Sequence, residues 1–197
     1  MIFNLDNNGL NEKYKLMAQT IIPRPIAWVV TEDEGIINIA PFSYFIGLSS
    51  SPATVLISIG EKSDGTPKDT LANIRKNKKC TICMVDKNNL ELMHFSSKEL
   101  DKDISETDIF NIKIDKIFDE YPPMVKDISC AYFCDFNQEI DLGDSLTIPI
   151  ILNVKNIYIK DEAIVDKEQM VIEFNPVARI GKSYAYLSKE IKAPIIP

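Results

Sequence analysis

Short apolar runs rich in β-branched residues recur along most of this 197-residue chain and constrain its fold more than any other feature. Such runs are typical of strands, and they do not alternate regularly with helical segments, as a parallel βαβ sheet would require. The pattern predicts a mainly β fold with flanking helices (α+β), in which an antiparallel barrel has helices packed at its edge. The predicted strands are Ile26–Thr31, Ile36–Ala40, Thr54–Gly60, Cys80–Val85, Ile112–Ile117, Ser129–Glu139, Leu146–Tyr158 and a short Ala163–Val165.

Turn residues lie between these runs. Glu32–Gly35 predicts a hairpin, because glycine adopts a positive φ without steric cost. A short loop containing Gly143 and Asp144 joins the last two long strands. The segment Phe42–Ser51, rich in serine and aromatic residues, and the polar segment Glu61–Pro67 are predicted as loops.

Three short helices are also predicted. Asn11–Ile22 carries Tyr14, Met17 and Ile21 at helical spacing, which predicts a packed helix that stops before Pro23. A second helix follows Pro67, with Asp69 or Thr70 as its cap and with Leu71 and Ile74 facing inward. The third begins at Asn88–Glu91, which has the form of a capping box, and runs through His94.

Length and charge limit the class of protein. The chain has the size of one domain, residues 1–197. It has no run of about 18 apolar residues, which is the length that a membrane helix needs. Met1–Lys15 is polar and lacks the apolar stretch of a signal peptide. A formal charge of −7 opposes binding to nucleic-acid phosphates. We expect a cytoplasmic protein with neither a nucleic-acid nor a membrane partner.

The four cysteines have two interpretations. Cys80 and Cys83 have a CxxC spacing, but they lie in a predicted strand, where an offset of three points their thiols to opposite faces. Cys130 and Cys134 share a face, again in a strand. Small core side chains in a reducing cytosol are the favoured interpretation, so no metal site is predicted, and zinc binding is the alternative.

Lys68, Asp69 and Thr70 form the first candidate site. They stand at a predicted helix start, where unpaired N–H groups and the helix dipole favour an anion such as a phosphate. An ordinary capped surface helix is the alternative.

Two further segments could bind a flat ring. In Asn38–Phe45, aromatic residues could wall a planar ligand while the serines that follow bond its polar edge; the alternative is a proline-bent loop whose aromatics fill the core. Arg24 is held in extended backbone between Pro23 and Pro25, and could equally be a solvated or ion-paired surface residue.

Taken together, these segments resemble the flavin-reductase-like, FMN-binding split-barrel family, in particular its flavoredoxin-type branch. The matching pieces follow one another in family order and reach nearly from end to end. They are Pro23–Val29, Gly35 with Asn38–Phe45, Ser50–Pro52, Lys68–Ile74 and Ala178–Tyr184. The last piece is similar to the family's carboxyl-terminal Arg-Leu-Gly-Gly signature, although Lys182 replaces its second glycine. Cys134 also stands where the family often has an acidic residue.

The resemblance implies an antiparallel split β-barrel that binds FMN non-covalently at a cleft between the two subunits of a homodimer. The FMN phosphate would lie near Lys68, Asp69 and Thr70. The flavin ring and ribityl chain would contact the remaining candidate residues, with Arg24 nearby and Asn38 ordering the loop backbone. Those contact residues are Ser43, Tyr44, Phe45, Ser49 and Ser50.

The implied function is an NAD(P)H-dependent flavin oxidoreductase that passes electrons through FMN to a small-molecule acceptor or an electron-transfer partner. The alternatives are an electron carrier that binds FMN without efficient nicotinamide oxidation, and a barrel that has no cofactor. Because the flavin supplies the chemistry, we assign no catalytic residue. His94, the only histidine, is expected to have a surface or supporting role.

Overall fold

The computed structural model describes residues 1–143, 145–187, 191–194 and 196. Strands dominate, and helices lie at their edges, so the predicted mainly β fold is confirmed. The helices are α1 Leu10–Thr20, α2 Asp69–Asn77, α3 Leu90–Phe95 and α4 Glu106–Ile109, with 3-10 turns at Leu5–Asn7, Lys87–Asn89 and Asp161–Ala163. The strands are β1 Arg24–Pro25, β2 Ala27–Asp33, β3 Ile36–Phe42, β4 Phe45–Ser50, β5 Ala53–Gly60, β6 Lys79–Met84, β7 Ile114–Asp115, β8 Met124–Val125, β9 Cys130–Glu139, β10 Thr147–Ile159, β11 Ile164–Asp166, β12 Val171–Ile172, β13 Val177–Ile180 and β14 Ser183–Tyr186.

Seven strands form the main sheet in the order β3-β2-β6-β9-β10-β5-β4, and every described pairing in it is antiparallel. The predicted hairpin between β2 and β3 is present. Asp33 pairs with Ile36, and the two residues between them, Glu34 and Gly35, have φ of 52° and 84°. A two-residue turn with both φ positive matches the twist of the strands that it joins.

The sheet buries both of its faces, because alternate side chains of each strand point to opposite sides. In β2, Trp28 and Val30 pack into one core, with Phe133, while Ala27 and Val29 pack into the other. The second core is closed by α2, whose Leu71 and Ile74 are buried as predicted. Burying each large apolar side chain contributes about 1.5–3 kcal/mol.

The cysteines follow the same alternation. Cys83 belongs to the first core, whereas Cys80 and Cys134 belong to the second, so the two thiols of the CxxC do point to opposite faces. All four cysteines are buried and free. In the described part of the chain, no group of three or more His, Cys, Asp or Glu side chains could hold a metal ion.

Two predicted segments have other structures. Phe42–Ser51, predicted as a loop, contains the edge strand β4, while the predicted strand Ile112–Ile117 is reduced to the two residues of β7. Asp144, in the predicted loop before β10, lies outside the described residues. Among those that are described, no helix has the length and apolarity to span a membrane.

The helix ends also differ from prediction. Lys68 is the N-cap residue of α2, and Asp69 and Thr70 are its first helical residues, so neither caps it. At α3 the N-cap Asn89 accepts no side-chain hydrogen bond, so the predicted capping box does not form. Helix α1 is present, but Tyr14, Met17 and Ile21, which were predicted to pack, are exposed to solvent. Ala18 is the one buried residue of this helix.

A separate three-stranded sheet, in the order β1-β13-β14, brings the end of the chain beside its beginning. Arg24 in β1 lies opposite Arg179 in β13. The backbone N–H of Val177 donates to the Val85 carbonyl at 2.7 Å, which ties this sheet to the end of β6. The hairpin β13–β14, which carries the carboxyl-terminal signature, is thereby held next to α3.

Candidate functional site

The start of α2 is open to a ligand. Its N-cap residue, Lys68, is half-buried, and no side chain caps the free N–H groups of the first turn. Such a terminus carries partial positive charge and unpaired donors. The predicted location of Lys68 at a helix start is therefore confirmed.

Three lysines surround this terminus. Lys62, Lys68 and Lys98 line a small cavity of about 40 Å³ in front of it, together with the carboxylates of Asp69, Glu99 and Glu106. The Nζ of Lys62 lies 2.8 Å from a carboxylate oxygen of Asp69, and this hydrogen bond raises the pKa of Lys62. Asp69 is therefore engaged by a lysine, and its carboxylate holds the loop 61–67 against α2.

Thr70 has a buried position instead of a surface one. Its hydroxyl donates to Oδ1 of Asn38 at 2.8 Å, and the residue is 1% exposed. The Asn38 amide donates in turn to both oxygens of Glu106, at 3.1 and 3.3 Å, while the backbone N–H of Ile39 donates to Glu106 at 3.0 Å. Burial raises the pKa of Glu106. This network fixes β3, α2 and α4 relative to one another.

A second, larger cavity of about 260 Å³ lies beside the first, and Ser97 lines both. Its walls are largely aromatic or apolar, and it carries no carboxylate among the described residues. The residues that line this larger cavity are Tyr14, Ile26, Pro41, Phe42, Ser43, Met93, His94, Ser97, Arg179 and Tyr184.

Tyr184 is central to one wall of this larger cavity. Nδ1 of His94 lies 2.9 Å from its hydroxyl, and the two rings meet edge to face, with centroids 5.8 Å apart. On the other side, Cζ of Arg179 lies 4.8 Å from the Tyr184 ring centroid. His94 thus lines a cavity beside two residues of the carboxyl-terminal hairpin.

Arg24 does not line the larger cavity. It is 4% exposed, so the interpretation of a solvated surface residue is wrong. Its Nη1 donates to the carbonyls of Ala18 and Ile21, at the end of α1, and its Cζ lies 5.7 Å from the Tyr44 ring centroid. Nε has no partner in the described residues. Arg24 therefore holds the end of α1.

The remaining candidate residues divide into two groups. Ser43 lines the larger cavity, and Tyr44 and Phe45 follow it, the first packed on Tyr14 and the second on the core. Ser49 and Ser50 are exposed on the edge strand β4 and line neither cavity.

Sequence reasoning missed several lining residues. Lys62 and Lys98 gave no signal, because isolated lysines in polar segments are common. His94 was predicted to have a surface or supporting role, and it is indeed exposed and hydrogen-bonded to Tyr184. The sequence indicated no location for the signature at Arg179–Tyr184 relative to His94. His94 and the signature come together only through tertiary contacts between distant segments, such as the hydrogen bond from Val177 to Val85.

The antiparallel main sheet with helices at its edges defines the class, a split-barrel fold, and comparison with known proteins identifies the family. The family model described as "Flavin reductase like domain" matches residues 17–174, so the chain belongs to this family. The predicted family and split-barrel fold are both confirmed.

Several solved structures share the fold. The chain is similar to the 2-nitrobenzoate 2-nitroreductase NbaA of Pseudomonas fluorescens, with a TM-score of 0.89 and 24% identity, over 100% of this chain and 96% of that one. A split-barrel flavin reductase candidate of Shewanella frigidimarina gives 0.80 and 20%, over 100% of both chains. The FMN-binding protein of Thermus thermophilus with bound 1-cyclohex-2-enone gives 0.74 and 18%, over 89% of this chain and 93% of that one.

Proposed function

We propose that this protein binds FMN and acts as an NAD(P)H-dependent flavin oxidoreductase. One observation carries the proposal: the uncapped start of α2, where three lysines and three carboxylates line a small cavity, lies beside an aromatic cavity that has no carboxylate among its described residues, and Ser97 lines both. A phosphate at one end and a flat ring at the other are the two groups that these surroundings suit.

The donor set fits FMN. Lys68, Lys62 and Lys98, with the first N–H groups of α2, would bind the phosphate. Pro41–Ser43 and Tyr184 would face the ring in the larger cavity. Thr70 would act through Asn38, because its hydroxyl is already committed there. When bound, FMN supplies hydride acceptance and electron transfer, while the chain supplies position and charge.

The partner would be a second copy of the proposed single domain, residues 1–197. Ser49 and Ser50 lie on the exposed edge strand β4, beside Ile46 and Leu48, which are 60% and 50% exposed. An apolar edge strand is a surface that proteins normally cover. In a homodimer, these serines would reach the FMN of the other subunit, as the family resemblance implies.

The first test is binding. Titration of FMN into the purified protein should quench its fluorescence at one FMN per chain, and riboflavin, which has no phosphate for Lys68, should bind more weakly. Equal affinity for the two flavins would contradict the phosphate site. A flavin-free protein that leaves FMN fluorescence unchanged would contradict the function as a whole.

The second test separates reductase from electron carrier. The FMN-loaded protein should oxidise NADH or NADPH, and the rate should rise on addition of a conjugated small-molecule acceptor, of the kind that the solved neighbours NbaA and the Thermus thermophilus protein suggest. Tight FMN binding without nicotinamide oxidation would instead favour the carrier.

A further inference from the structure

The wall made of Arg179, Tyr184 and His94 is not explained by cofactor position alone. Arg179 lies on the face of the Tyr184 ring, 4.8 Å from its centroid, while His94 lies at its edge. Nε of Arg179 donates to the Gly181 carbonyl at 3.0 Å, which orients the guanidinium within the hairpin β13–β14. The wall is therefore built on paired strands and holds its charge in one place.

The charge of this wall is opposite to that of the molecule. The chain carries a formal charge of −7, yet Arg179 is the one permanently charged side chain among the described residues that line the larger cavity. Because the surrounding side chains are apolar or aromatic, the field of a cation there is screened less than on an open surface. The cavity thus favours negative charge.

We propose that Arg179 stabilises the negative charge that develops on a flavin ring in this cavity upon reduction. The inference rests on the proposed function. A hydride from a nicotinamide delivers two electrons and one proton, which leaves the nicotinamide oxidised and adds one unit of negative charge on the flavin side. A fixed cation binds that charge more strongly than it binds the neutral ring, and so it raises the reduction potential.

A purely structural role makes a different prediction. If Arg179 only packs on Tyr184 and supports the hairpin, its replacement changes the stability of the protein and the affinity for both forms of FMN by the same factor. The ratio of the two affinities, and with it the potential, then stays unchanged. The midpoint potential of bound FMN is therefore the measurement that separates the two roles.

The experiment compares Arg179→Gln, Arg179→Lys and the wild type, with Arg75→Gln as the control. Arg75 is also a partly exposed arginine, but it pairs with Glu139 and lines neither cavity. Each protein is loaded with FMN, its midpoint potential is measured, and its dissociation constant for oxidised FMN is determined by fluorescence. A thermal melt verifies folding.

We expect Arg179→Gln to raise the dissociation constant of reduced FMN about tenfold relative to that of oxidised FMN. This change lowers the midpoint potential by about 30 mV for a two-electron couple. Arg179→Lys, which keeps the positive charge, should have a midpoint potential close to that of the wild type. The potential of Arg75→Gln should equal that of the wild type. An unchanged potential in a folded, FMN-loaded Arg179→Gln protein overturns the inference and leaves the proposed function standing. A wild type that binds no FMN overturns both. If Arg179→Gln does not fold, Arg179→Met, which also removes the charge, replaces it: a potential below that of Arg75→Gln supports the inference, and one equal to or above it overturns the inference.

Discussion

Lys68 and Thr70 stand two residues apart at the start of α2, but their side chains have different surroundings. Both residues border the small cavity, but Lys68 is only half-buried, whereas Thr70 is 1% exposed and its hydroxyl is bonded to Asn38. We expect Lys68→Ala to weaken FMN by about 1.5–3 kcal/mol, or roughly ten- to a hundred-fold, because it removes a charge-assisted bond to phosphate. FMN titration measures this, and Lys167→Ala, an exposed lysine in the turn after β11, is the control. Unchanged affinity in Lys68→Ala would place the phosphate elsewhere.

Thr70→Ala should have the opposite profile. Loss of its hydroxyl leaves the Asn38 carbonyl oxygen with the longer 3.3 Å bond from Thr31, so the unfolding free energy should fall by about 1–3 kcal/mol. A denaturant melt of the apoprotein measures the loss. A melt equal to that of the wild type, together with weaker FMN binding, would return Thr70 to the phosphate site that the sequence predicted.

Glu106 gives a pH signature of the same network. Burial raises its pKa above the ordinary 4.5, so the folded state keeps the proton longer than the unfolded state does. Its contribution to stability is therefore present at low pH and lost as pH rises through the raised pKa. The unfolding free energy of the wild type minus that of Glu106→Gln should therefore decline as the pH rises from the ordinary pKa of a glutamate to the raised pKa of folded Glu106. For Glu139→Gln the same difference should rise with pH, because a hydrogen bond from Arg75 lowers the pKa of Glu139.

At the scale of elements, the loop 61–67 closes the small cavity. Ser63 donates from its backbone N–H and its hydroxyl to the two oxygens of Glu99, at 3.2 and 2.8 Å, and so joins the two sides of that cavity. This closure should admit one terminal phosphate and disfavour the pyrophosphate of FAD. Ser63→Ala should therefore lower the ratio of the FAD to the FMN dissociation constant at least threefold. Thr66→Ala, which breaks a bond only within the loop, should leave that ratio unchanged.

The elements also show which features were readable from sequence. The predictions for β2, β5, β6, β9 and β10 were close because buried strands carry long β-branched runs. Strand β4 was missed because its serines and glycine are typical of loops, and an exposed edge places little demand on composition. The position of Lys68 at a helix start could be predicted because a helix start is a local feature. The proximity of His94 to Arg179 and Tyr184 could not, because tertiary pairing creates it.

For the molecule as a whole, we propose that the exposed apolar residues of α1 and β4 form the surface to which a second copy would bind. On α1 they recur on one face of the helix, which buries almost nothing within its own chain, and on β4 they flank the cofactor candidates Ser49 and Ser50. Contact between Tyr14 and Tyr44, with ring centroids 6.5 Å apart, brings the two elements together. The exposed residues are Leu10, Tyr14, Met17, Ile21, Ile46 and Leu48.

A homodimer built on this surface makes FMN binding depend on assembly. We expect the wild type to sediment at twice the chain mass, and Leu48→Asp to dissociate it, because a charge on the apolar edge would be buried without a partner. The monomer should bind FMN at least tenfold more weakly, since Ser49 and Ser50 of the other subunit are lost. Val165→Asp, at an equally exposed apolar residue on β11, is the control and should remain dimeric. If Leu48→Asp stays dimeric, or if its monomer binds FMN as tightly as the wild type does, β4 does not complete the site.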